Sequence, residues 1–511
     1  MKKRGIKDHN LIWITLLACV YGVIYAIRMF TNMPWYDELY TYYSFISRGP
    51  VYAAIHWPLP NNHVGYSALS GFLSYFGNAT IALRGVSFLC ATINIVLVYY
   101  LARKLVDNKA AYICVFLYAS VFLVHNMAVQ GRGYTLSTTC YIVSLLMLYR
   151  ICFDLGGKKE YVIYSLCLAM GIYAVPSSTF WVLPVCIFGG IFLLCNGKGK
   201  SLLKLIASSL VAAALCLFLY LTIWLSIGSN LLLKEGDPAF AGGHINIILH
   251  HPAAAAKRGL DYMLASPYIQ SMDSATVKKE LFIYLENLFD QYYSGAGRVL
   301  TIFFAVTAVV AIIRFIIDRS RFLELFLAVS VVMLPVMLIV QSVQPYLRVF
   351  SYFGLVMALG MVMYIDIFVT RFITGYSKVY TLLVIASGAA LVGLLFTYRY
   401  TAPMADREAD IADALSLMES EGVSVSDIDS MYYTDDYQKY VIKFIYDRDI
   451  PELAMGEAGF VMVSDTLKDE SIDHTDWPML SNSKDFDFEL LNSEYEEISG
   501  TDRYAIYRKR K

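Results

Sequence analysis

Residues 11–38 read LIWITLLACVYGVIYAIRMFTNMPWYDE. The part up to Phe30 is an apolar run long enough to cross a bilayer, which takes roughly 17 to 25 residues as a helix. It is too long for the core of a signal peptide and no small-residue cleavage site follows, so it is expected to be retained as a membrane helix. Just beyond it two adjacent carboxylates, Asp37 and Glu38, stand among Trp35, Tyr36 and Tyr40. An ionisable pair at a bilayer boundary is costly unless it is solvated or working, which makes this pair a candidate functional site. Taken alone, it fits a solvated, helix-capping loop equally well.

The rest of the chain continues the pattern. Hydrophobic residues make up 58%, aromatic 15% and charged 16%, with a mean hydropathy of +0.53. This is the composition of a polytopic membrane protein. About eleven runs have spanning length, near 11–30, 81–101, 110–126, 135–152, 161–175, 179–195, 203–227, 299–317, 322–341, 351–369 and 379–398. Six basic groups fall on one side if all eleven cross: Lys2 to Lys7, Arg103 to Lys109, Arg150 to Lys159, Lys198 to Lys204, Arg314 to Arg321, and Arg371 with Lys378. Lysine and arginine stay on the cytoplasmic side. The amino terminus is therefore expected to be cytoplasmic, and Asp37-Glu38 and the carboxyl-terminal tail to face outward.

The net charge of -1 hides a split. The segment after Pro403 holds about 26 acidic and about 11 basic side chains, leaving the remainder basic. No cationic groove with interleaved aromatics is legible, which excludes a nucleic-acid partner. The nine cysteines lie in or beside the spans and read as small packing residues, not as a disulfide or zinc framework.

The organisation expected is an α-helical membrane domain over 1–400 and an extracytoplasmic α/β domain over 401–511. The membrane domain carries outward loops at 31–80 and 227–298. In the first loop, Leu39, Tyr43 and Ile46 have helical spacing and could lie in the membrane interface. Asn61, Asn62, His63 and Tyr66 follow in a Pro-rich turn that supplies donors and acceptors, and with Tyr134 they are expected to line the acceptor or sugar pocket. In the second loop one helix starts at Pro252 and another follows Ser274 as N-cap. Three arginines then stand at outward span boundaries: Arg84, Arg132 between Gly131 and Gly133 and next to Tyr134, and Arg348. The guanidinium fork suits a phosphate, and glycines let backbone N–H groups approach an anion. Arg84 could equally anchor to lipid phosphate. In the tail a helix is expected over 410–421, strands near 430–433 and 459–463, a helix over 437–446 and a final edge strand over 503–507.

Asp37-Glu38, Asn61 to Tyr66, Arg84-Gly85-Val86-Ser87, Arg132-Gly133-Tyr134 and Tyr346-Leu347-Arg348 together resemble the polyprenyl-phosphate-dependent glycosyltransferases of the glycosyltransferase C superfamily. That superfamily includes protein O-mannosyltransferases and aminoarabinose transferases. The resemblance covers roughly residues 8–400 and implies a multi-pass plasma-membrane enzyme of the cell envelope; the lack of outward cysteines fits a bacterial plasma membrane. Such an enzyme is a hexosyl- or pentosyltransferase moving one sugar from a polyprenyl-phosphate donor to an outward glycan, protein or lipid acceptor. It implies Asp37 as base, Glu38 positioning acceptor or sugar, and Arg348, with Arg84 and Arg132, holding the donor phosphate. Asn62-His63-Val64 stands where the aminoarabinose transferases have Lys-Pro-Pro, and residues 125–130 lack the second acid some members carry. No metal is required; a divalent cation at Asp37-Glu38 is compatible but not favoured. An oligosaccharide ligase or polymerase of the O-antigen type is the rival enzyme, with its key residues in late loops. A transporter of lipid-linked sugars is the rival from another class, though no internal repeat is legible.

Overall fold

The computed structural model describes residues 8–56, 62–265, 272–373, 376–402, 405–449, 451, 453–468 and 486–510. Asn61 lies outside them. Two compact units form: Met1–Met29 with Ser44–Thr401, and Phe30–Tyr43 with Ala402–Lys511. The segment carrying Asp37 and Glu38 thus groups with the tail.

The first unit is helical. Among the described residues nine helices are long and apolar enough to cross a membrane, at Leu11–Thr31, Ala79–Leu105, Tyr134–Cys152, Pro176–Cys195, Gly199–Glu235, Gly297–Ile317, Phe322–Gln341, Leu347–Phe372 and Ser377–Leu395. Two of the eleven expected runs behave differently. The 110–126 run is split into helices Asn108–Ser120 and Phe122–Met127, with Val121 extended between them. The 161–175 run is a helix of 17 residues, Lys158–Ala174, that opens on charged residues.

The Gly199–Glu235 helix has 37 residues and is about 55 Å long at 1.5 Å per residue, beyond any hydrocarbon thickness. The helix Pro252–Leu264 packs along it. Gly228 lies against the Ala255 carbonyl and Gly259 against the Trp224 carbonyl, so neither position has room for a Cβ. Pro252 does start its helix, but the cap of the next helix, Ser274–Asp290, is Asp273, whose carboxylate accepts the Thr276 N–H; Ser274 is the first helical residue.

The second unit is built on a four-stranded sheet: β1 (Met431–Tyr433), β2 (Phe460–Ser464), β3 (Tyr495–Gly500) and β4 (Tyr504–Lys509), in the order β1-β2-β4-β3. β1 and β2 are parallel, and β4 pairs antiparallel with both β2 and β3. The strand expected at the edge, β4, is interior; the edges are β1 and β3. Alternate residues face opposite ways. Met431, Tyr433, Phe460, Met462, Tyr504 and Ile506 join one core with Ile411, Leu415 and Met418 of the helix Asp406–Ser420 and Val441 and Ile442 of the helix Asp436–Tyr446. Tyr432, Val461, Val463 and Tyr495 face a second core.

Leu39 of the first loop is wholly buried in that first core, and Tyr43 packs at its margin. Leu39 and Tyr43 of the stripe expected to lie in the membrane interface are therefore spent on the tail domain, while Ile46 belongs to the other unit, in the short helix Ile46–Arg48. Periodicity identified the helix, now Tyr36–Ser44, but could not say which surface would cover it.

Candidate active site

The residues singled out in the sequence divide between the two units. In the second unit, Asp37 and Glu38 occupy the first turn of the helix Tyr36–Ser44. The Trp35 carbonyl accepts the N–H groups of Glu38 at 2.9 Å and Leu39 at 3.0 Å, which makes Trp35 the capping residue. Glu38 then reaches back, its Oε2 accepting the Trp35 N–H at 3.1 Å, as an acid at the third helical position commonly does. Glu38 is fully buried. These bonds are helix capping.

Tyr36 is anchored from the tail. Its N–H donates to Glu408 Oε1 at 2.6 Å, and its ring packs on Tyr437 and Tyr440 with centroids at 4.7 and 5.7 Å. The Thr41 hydroxyl donates to the Asp37 carbonyl at 2.7 Å. Asp37 itself is half-buried. Burial pushes the Glu408 carboxyl upward; the Tyr36 N–H opposes this and Glu38 adds to it. Asp435, buried at the start of the helix Asp436–Tyr446, is pushed up to about 7 by desolvation.

In the first unit, His63, Arg132, Tyr134 and Arg348 come together. His63 precedes the helix Val64–Leu73, and Arg132 and Tyr134 lie at the start of Tyr134–Cys152. His63 Nδ1 accepts the Gly133 N–H at 2.9 Å. A neutral imidazole must then carry its proton on Nε2. That atom faces the Arg132 guanidinium at 3.2 Å, so a donor meets a donor. Burial, with Arg132 and Arg348 beside it, holds His63 well below the usual imidazole range. The His63 ring meets Tyr134 edge-on at 5.0 Å, and the Tyr134 hydroxyl accepts from Arg348 Nε at 3.2 Å. The Arg348 guanidinium also stacks on Tyr346, 4.3 Å from the ring centre. Two cations, a neutral imidazole donor and a phenol thus converge, an arrangement suited to an oxyanion.

The glycines beside Arg132 serve close packing. A Cβ at Gly131 would run into Leu83, one at Gly133 into the Ala174 carbonyl, and the Gly133 N–H is taken by His63. Tyr66 is buried, its hydroxyl donating to the Leu83 carbonyl at 2.6 Å. Ser87 donates to the Gln130 carbonyl at 2.5 Å, tying the Arg132 loop to the Ala79–Leu105 helix. Asn62 donates to the carbonyls of Ala53 and His56 at 3.0 and 2.5 Å, shaping the turn. Arg84 is completely buried and donates to the Met29 carbonyl at 3.0 Å, which removes the lipid-anchor reading. Arg28, not singled out in the sequence, is also buried and donates to Asn126 and to the Tyr400 carbonyl. Among the described residues no group of three His, Cys, Asp or Glu side chains could hold a metal ion.

Residues 64–224 match the family model of the dolichyl-phosphate-mannose-protein mannosyltransferases. Over that segment, which is less than half of the chain, the sequence is similar to this family of membrane glycosyltransferases. The transferase is a multi-pass membrane protein that draws its sugar from a polyprenyl-phosphate donor. The matched segment holds Tyr66, Arg84, Arg132 and Tyr134, while Asp37, His63 and Arg348 lie outside it. The fold is shared with the oligosaccharyltransferase of the archaeon Archaeoglobus fulgidus. Its structure with Zn and sulfate aligns at a TM-score of 0.51 and 14% identity, over 88% of this chain and 68% of that one. Its structure tethered by a disulfide to an acceptor peptide containing the NVT sequon aligns at 0.52 and 13% identity, over 98% and 74%. At that identity the likeness extends to fold alone. Comparison of the sequence with curated proteins gives no match.

Proposed function

We propose that the transferase moves a single sugar from a polyprenyl-phosphate donor to an acceptor hydroxyl on the outward side of the membrane, with inversion at the anomeric carbon. The observation that carries this reading is the convergence of buried His63 and Arg132 with half-buried Arg348 in the helical unit. A phosphate oxygen beside Arg132 turns the donor–donor contact with His63 into two favourable hydrogen bonds. In the donor the phosphate is a diester with one negative charge; as the leaving group it becomes a monoester and gains charge. Arginines placed to meet that gain stabilise the transition state more than the ground state, which replaces a general acid.

What remains is to remove the acceptor proton. Asp37 takes it as general base while the hydroxyl attacks the anomeric carbon and the C–O bond to phosphate breaks. Glu38 supports this through the helix start. Purified protein given a synthetic short-chain prenyl-phosphate hexose and cell-envelope extract should transfer the sugar, and the product's anomeric configuration should be opposite to the donor's. Retention of configuration, or no transfer from any prenyl-phosphate sugar, would overturn the proposal.

A further inference from the structure

The tail shows no Gly-rich loop or metal cluster in its sequence, which suggests an accessory module. Its packing argues otherwise. The helix that presents Asp37 is held by tail residues on either side of that aspartate. Leu39 fills the tail's core, the Tyr36 ring lies on Tyr437 and Tyr440, and the Tyr36 N–H is accepted by Glu408.

A helix start leaves its first N–H groups without intrahelical partners. Here two buried carboxyls serve adjacent ones: Glu38 takes the Trp35 N–H from within the helix, and Glu408 takes the Tyr36 N–H from a residue 372 positions away. Glu408 sits in the first turn of its own helix, Asp406–Ser420, and is only 4% exposed. Burying a carboxyl among others is expensive, and a surface helix could be capped by a serine or by water instead. What the buried carboxyl adds is a fixed, dry anchor one residue before Asp37.

We propose that Glu408 is a positioning residue for Asp37: through its bond to the Tyr36 N–H it sets where the Asp37 carboxylate stands, so the tail domain is part of the catalytic apparatus. This rests on the reading of Asp37 as base. An ångström of misplacement at a reacting group can cost on the order of a hundredfold in rate. The effect belongs in turnover, because Glu408 is assigned no contact with the donor.

The test uses the full-length protein in detergent and compares Glu408→Ala, Glu408→Asp and Glu408→Gln, with Asp37→Asn alongside. Glu408→Asp keeps the charge but shortens the reach; Glu408→Gln keeps an oxygen at full reach without the charge. The expected result is a kcat lowered about tenfold to a hundredfold in the Ala and Asp variants, with donor KM within about twofold of wild type. Glu408→Gln should return kcat to within about threefold. If Glu408→Ala does not fold, the Asp and Gln variants decide. The proposal is overturned if Glu408→Asp turns over like wild type, or if losses across the variants simply follow their melting temperatures. An active Asp37→Asn would instead remove the base itself; a dead Asp37→Asn beside fully active Glu408 variants would remove only the positioning role.

Discussion

Replacing Arg348 by alanine should lower kcat/KM for the prenyl-phosphate donor by about tenfold to 150-fold. The figure follows from the geometry. The Arg348 side chain is held from two directions, by the Tyr134 hydroxyl at 3.2 Å and the Tyr346 ring at 4.3 Å, so its guanidinium is oriented before any ligand arrives. A preoriented charged hydrogen bond is worth about 1.5–3 kcal/mol, and each 1.4 kcal/mol is a factor of ten. Because charge accumulates on the phosphate as the glycosidic bond breaks, part of the loss should fall in kcat. Arg348→Lys restores the charge but neither the planar fork nor the stacking, and should recover less than half of the lost free energy. The assay is initial-rate transfer of labelled sugar at varied donor and saturating acceptor, with folding checked by thermal melting in detergent. A folded Arg348→Ala variant with kcat/KM within twofold of wild type would refute the placement of the donor phosphate at this cluster.

Two further outcomes follow from the same structure. Gly133→Ala forces a Cβ into the Ala174 carbonyl and against His63 Nδ1, which should cost about 1–3 kcal/mol of stability and depress transfer; a melting curve within a degree of wild type would contradict that crowding. Asp435, pushed up to about 7, keeps a proton in the folded state that the unfolded chain releases above its ordinary value of about 3.9. Its contribution to stability is therefore fully present below about pH 4 and lost as pH rises to about 7, a swing of roughly 4 kcal/mol. Asp435→Asn should melt higher than wild type at pH 8 and no higher at pH 4, as read by scanning fluorimetry; an equal shift at both pH values would count against it.

Much of the membrane part was legible because hydropathy over a spanning length is a local signal. The break at Val121 was not, since a kink leaves the average hydropathy almost unchanged, whereas the 161–175 run, now the 17-residue helix Lys158–Ala174, already reads as the weakest of the eleven. Local periodicity likewise identified the helix at Asp37 and the tail strands β1 and β2, but not their partners. Leu39 and Tyr43 form a stripe that either a membrane surface or a protein core could cover, and only the fold assigns it to the tail. β3 was missed because its adjacent exposed acids, Glu496 and Glu497, break the alternation of apolar and polar residues that marks a half-buried strand. Among the arginines, the resemblance put Arg348 first, with Arg84 and Arg132 behind it. Arg84 proves to be a buried tie to Met29, whereas Arg132 and Arg348 converge on His63, whose role the turn chemistry around it only hinted at. Glu408 carried no local signal, because its partner lies 372 residues away.

The most direct measurement is transfer from a synthetic prenyl-phosphate sugar by Asp37→Asn, with donor binding and melting temperature measured on the same preparation. Removing a general base costs on the order of a hundredfold to ten-thousandfold. The account predicts a loss of that size in kcat, with fold and donor affinity retained. An Asp37→Asn enzyme that binds donor and transfers sugar at the wild-type rate would contradict it.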